Sequence, residues 1–145
     1  MKRLVGLFGI LAIFFAVCFS GCSAQKNIVI TDCKTGEIVA EFSSKEHQAE
    51  AALLTNALNN AGEISTEPDY SQKYLVHFID PKDSLYDIWY YIYVGNDNRD
   101  VYVQYDMEKM KKFDDQIRGF ADDKVRKSTY LNAVDFSNII SGKYK

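Results

Sequence analysis

No cluster of Lys and Arg large enough to form a phosphate-binding face occurs in the 145 residues, and acids outnumber bases by 20 to 17. A net charge of −3 gives nucleic acid no electrostatic footprint and opposes approach to an anionic lipid surface. There are only two histidines, His47 and His77, thirty residues apart, and neither has a second His or a Cys at zinc-ligand spacing. No Gly-rich Walker-type phosphate loop and no Gly-x-Ser-x-Gly elbow is present. Internal repeats and low-complexity tracts are also lacking, and the length and composition fit one compact domain better than a multi-domain enzyme or a polytopic membrane protein.

One long apolar run is present, and it is confined to the start. Lys2 and Arg3 precede an uncharged stretch from Leu4 to Phe19, followed by Ser20, Gly21 and Cys22. As a helix, 16 residues reach about 24 Å, short of the ~30 Å hydrocarbon core. A basic start, an apolar middle and small residues at the end make a secretory signal. Removal of 21 of the 145 residues leaves 124, and losing Lys2 and Arg3 takes the formal charge from −3 to −5.

Phe19-Ser20-Gly21-Cys22 resembles the bacterial lipoprotein box, with Phe19 where that family prefers Leu. The resemblance implies cleavage between Gly21 and Cys22 and a diacylglyceryl thioether on Cys22. Two or more acyl chains hold a protein to a membrane where one chain is marginal. The expected organisation is a removed signal at 1–21, a lipidated Cys and short tether at 22–26, and one α+β domain at 27–145. Its expected place is the cell membrane, lipid-anchored on the extracytoplasmic side. Cys18 then leaves with the signal and Cys22 carries lipid, so Cys33 remains odd and reads as an unreactive turn residue.

Within the domain, Asn27–Thr31 and Glu37–Phe42 are apolar and β-branched around the turn cluster Asp32-Cys33-Lys34-Thr35-Gly36, which predicts a hairpin. Ser43 followed by Glu46 reads as a capping box. Ala49, Leu53, Leu54, Ala57, Leu58 and Ala61 then predict a helix over 44–61, ended by Gly62. Lys73–Ile79, Tyr86–Val94 and Asp100–Tyr105 predict an antiparallel meander. Met110, Phe113, Ile117 and Phe120 predict a second helix through Ala121, Thr129–Leu131 a short strand, and Asn132 with Asp135 the cap of a terminal helix. The expected fold class is α+β: an N-terminal hairpin and a meander with helices packed on one face. The helix end Asn59-Asn60-Ala61-Gly62, the Tyr-rich meander and the closing Tyr130-Leu131-Asn132 and Asp135-Phe136-Ser137 together resemble small domains of Gram-positive lipoproteins, and that resemblance implies no activity.

Aromatic residues carry the functional expectation. Alternation puts Trp89, Tyr91 and Tyr93 on one face of the middle meander strand, with Tyr90, Ile92 and Val94 opposite. Helices need cover only one face, so Trp89, Tyr91, Tyr93 and Tyr105 are the candidate partner-binding residues, offering stacking surface and hydroxyls to a protein or envelope polymer. Asn96-Asp97-Asn98-Arg99-Asp100 alternates oxygen donors as calcium loops do, but Val101 and Met107 stand where such loops need Gly and Glu, so no metal is expected. Asp114-Asp115 and Asp122-Asp123 lie among Lys111, Lys112, Lys124 and Arg126 and read as a salt-bridged solvent face. No catalytic residue and no cofactor is expected. The leading function is a lipid-anchored binding module; the alternatives are a modulator or immunity lipoprotein that inhibits an envelope enzyme or toxin, and, less favoured, a cell-envelope hydrolase.

Overall fold

A computed structural model describes residues 25–110 and 122–143. The expected signal segment, Cys22 and the expected helix beyond Met110 lie outside those residues. The described residues open with strands β1 (Ile28–Asp32) and β2 (Ile38–Phe42), then helix α1 (Gln48–Asn59) and a short β3 (Ala61–Glu63). The meander β4 (Tyr70–Phe78), β5 (Ile88–Gly95) and β6 (Val101–Tyr105) follows, and β7 (Arg126–Ser128) and α2 (Ala133–Ile140) close it. Seven strands form one sheet in the order β2-β1-β4-β5-β6-β7-β3, antiparallel at every pairing. The architecture is therefore α+β, with hairpin and meander in one sheet.

Alternation along the strands decides where the core lies. Ile28, Ile30, Ala40, Phe42, Tyr74, Val76, Tyr90, Ile92, Val94, Val101 and Val103 are all buried on one face. Helix α1 adds Ala51, Leu54 and Ala57, and α2 adds Ala133, Phe136 and Ile139, each set at three-residue spacing. Both helices lie on this same face: the Tyr90 hydroxyl donates to the Leu54 carbonyl at 3.1 Å, and the Phe136 ring meets Tyr74 edge-on at 5.0 Å. Among the described residues, no helix is long and apolar enough to cross a membrane.

Local structure departs from the sequence-based expectation where backbone groups find other partners. Ser43 does not cap α1: its buried hydroxyl accepts from the Lys45 amide, its carbonyl accepts from the His47 amide, and the helix begins at Gln48. At the far end Ala61 leaves the helix to begin β3, because β7 supplies a ladder to Ala61, Gly62 and Glu63. The last strand falls at 126–128 and not at 129–131, where the Ser128 hydroxyl accepts from the amides of Tyr130 and Leu131 and turns the chain into α2. The α2 cap is as expected, with Asn132 Oδ1 accepting from the Asp135 amide at 2.8 Å.

Placement of β3 constrains the polar connection that follows. From β3 to β4 the chain must pass β7, β6 and β5, four strand spacings of about 4.8 Å, or roughly 19 Å. The steps from Glu63 to Tyr70 reach at most about 25 Å. The connection therefore runs directly over the sheet, and it takes the face that the helices leave open, where Glu67 and Pro68 share a small cavity with Tyr93 and Gln104.

Candidate recognition face

The outer face is built in cross-strand rows centred on β5. Val29, His77 and Trp89 form one row, and Thr31, Leu75, Tyr91 and Gln104 the next. Lys73, Tyr93, Tyr102 and Lys127 form a third. Side chains opposite one another in a sheet lie in contact range, so each aromatic ring has a polar or charged neighbour fixed by register.

Trp89 lies flat on the His77 ring, with centroids 3.4 Å apart and planes 12° from parallel. His77 Nε2 in turn meets Asp87 Oδ2 at 2.7 Å, and the other Asp87 oxygen accepts from the Asp80 amide at 2.7 Å. Lys109 also approaches Trp89, its Nζ standing 5.1 Å from the ring centroid. Tyr91 carries Lys73 Nζ at 4.2 Å from its centroid, and its hydroxyl donates to Asp106 Oδ2 at 2.8 Å. A cation over an aromatic face is attracted by the ring quadrupole. Each of the two rings thus carries one lysine ammonium, and each keeps part of its surface open to solvent.

Tyr93 and Tyr105 do not join them. Tyr93 is only 7% exposed, covered by the 64–69 crossover and by Tyr70, whose ring meets it at 4.7 Å, while its hydroxyl donates to Gln104 Oε1. Tyr105 pairs with Tyr90 and so points to the helix-covered side, where it packs against the core. The expected four-residue surface is reduced to Trp89 and Tyr91. Burial, then neighbouring negative charge and in Tyr91 the bond to Asp106, push the phenols of Tyr91 and Tyr93 from an ordinary 10 up to about 12.

The His77, Asp87 and Trp89 group is the part sequence reasoning missed. Asp87 lies ten residues from His77, a separation without ligand meaning in a linear reading; the β4–β5 hairpin brings them together. The register of two adjacent strands was the available signal, since it sets His77 against Trp89. His47 instead stands at the α1 N-cap position, its ring edge-on to Phe42 at 5.9 Å.

The remaining candidates resolve locally. Asp97 Oδ1 accepts from the amides of Arg99 and Asp100, so the alternating Asn96–Asp100 oxygens build a turn. Asp122 forms a two-fold bond to Arg126, both contacts 2.7 Å, and these hold its carboxyl down at about 2. Among the described residues, no group of three or more His, Cys, Asp or Glu could hold a metal ion. Cys33 is an exposed free thiol whose pKa is raised, chiefly by partial burial, which lowers its thiolate fraction and its reactivity. Comparison with protein-family models, with curated proteins and with solved structures finds no match to this chain.

Proposed function

We propose that this chain is a lipid-anchored binding module on the extracytoplasmic side of a bacterial cell membrane, engaging a protein or envelope polymer through the outer face of its sheet. The observation that supports it best is the pairing of Trp89 and Tyr91, partly exposed on a face neither helix covers and flanked by Lys109 and Lys73. Large rigid rings beside cations suit an acidic or aromatic partner group, since stacking and charge act on the same contact. The anchor reading draws on Lys2-Arg3, the apolar run to Phe19 and Ser20-Gly21-Cys22.

A photo-crosslinking residue at Trp89 in the full-length, membrane-inserted protein tests the binding reading, with the same residue at exposed Tyr130 as the comparison. The expected result is one stoichiometric adduct from position 89, weakened by Tyr91→Ala and by Lys73→Ala. Equal diffuse adducts from both positions, in folded protein, would overturn it. A single enzyme as the adduct would favour the alternative of a modulator or immunity lipoprotein that inhibits that enzyme.

A further inference from the structure

The tether enters at one end of the sheet, and one loop projects from that same end. Asn27, just after the expected 22–26 tether, is fixed there: its amide donates to Phe42, its carbonyl accepts from the Ile79 amide at 2.8 Å, and its side chain exchanges two bonds with Ser44. Strand β4 ends and β5 begins at this end, so the connection between them extends beyond the strand ends on the side from which the chain arrives. Four residues, Ser23 to Lys26, separate Cys22 from Asn27, and the five backbone steps reach under about 18 Å even fully extended.

That loop presents apolar surface from a rigid frame. Leu85 and Tyr86 are 43% and 44% exposed. Three carboxylates are turned inward to hold the backbone: Asp80 accepts from the amides of Lys82 and Asp83, Asp83 from that of Leu85, and Asp87 from that of Asp80. A turn of 3-10 helix over Ser84–Tyr86 fixes the tip. Among the described residues the other large exposed apolar side chains stand elsewhere: Ile38 and Tyr70 open β2 and β4 at the opposite end, and Tyr130 and Val134 lie just before and just after residues 131–133, where the Ala133 amide donates to the Arg99 carbonyl in the turn after β5.

We infer that the loop 79–87 is a membrane-seating tip, with Leu85 and Tyr86 entering the bilayer interface beside the acyl chains on Cys22. This rests on the anchoring reading above. A side chain with an apolar body and a polar tip suits the headgroup level, and a second apolar contact beside an acyl anchor fixes orientation as well as attachment. Acids exceed bases in the loop, with Asp80, Asp83 and Asp87 against Lys82, so the attraction is apolar and does not need anionic lipid. The domain then stands with its β1–β2 turn away from the membrane and its outer face along the side.

The test uses the full-length protein, purified from membranes and reconstituted in phosphatidylcholine vesicles, with Cys33→Ser as background. An environment-sensitive fluorophore is placed by Leu85→Cys or Ser84→Cys, and at the opposite turn by Thr35→Cys. Expected is a blue-shifted emission and protection from iodide at 84 and 85, absent at 35, and unchanged when phosphatidylglycerol is added. Equal quenching at all three positions, in protein whose N-terminal peptide mass carries the diacylglyceryl group, overturns the seating and leaves the anchor standing. An unmodified Cys22 in that peptide overturns the anchor and the seating with it.

Discussion

Tyr91 and Tyr93 sit two residues apart on one strand face, yet their surroundings differ: Tyr91 bonds a carboxylate and stays partly open, while Tyr93 is roofed by Tyr70 and the crossover. Both phenols keep their protons to about 12. A phenol whose folded pKa exceeds its unfolded value keeps its proton in the native state after the unfolded chain has lost it, so its contribution is complete below pH 10 and disappears as the pH rises through 12. The expected outcome is loss of stability across that alkaline window, followed by circular dichroism, and a late class of phenols in ultraviolet titration. Tyr91→Phe should remove one member of that class and cost about 1 kcal/mol, the ordinary worth of a hydrogen bond.

The elements differ in how their ends are held. Helix α2 has an Asn132 cap with a 2.8 Å bond to the Asp135 amide, whereas the α1 N-cap residue, His47, makes no side-chain capping bond. Asn132→Ala should therefore lower stability by about 1 kcal/mol, read as a fall in Tm or in the urea midpoint. The meander elements were legible because alternating bulky residues between turn signals permit little else, and β4, β5 and β6 fall within a few residues of expectation. The Ser43 cap was misread because a serine hydroxyl satisfies a turn amide as readily as a helix amide. Strand β3 was not legible, since Ala61-Gly62-Glu63 has no strand pattern and is extended only because β7 lies beside it.

At the scale of the molecule, the outer face is shaped by connectivity. The connection from Glu63 to Tyr70 has about 25 Å of reach for a span of roughly 19 Å, so deleting Ser65 and Thr66 would leave about 18 Å. That deletion should detach β3 from β7 or pull the crossover from Tyr93, seen as lost hydrogen-exchange protection at Ala61–Glu63 and faster iodide quenching of the sheet face. Helices α1 and α2 and the core they cover, from Leu54 to Phe136, should keep their protection.

The amino-acid sequence alone determined which residues alternate into a buried and an outer face, because side-chain period follows from strand and helix geometry without reference to neighbours. It also holds the apolar run from Leu4 to Phe19 with Cys22 behind it, a local pattern that needs no fold and on which the proposed anchor rests. Tertiary structure alone decided which rings of the aromatic set are available: strand order sends the 64–69 segment over Tyr93, register turns Tyr105 to the core, and the hairpin joins His77 to Asp87 beneath Trp89. Those are contacts between residues far apart in the chain, set by strand order and register, which local pattern does not encode.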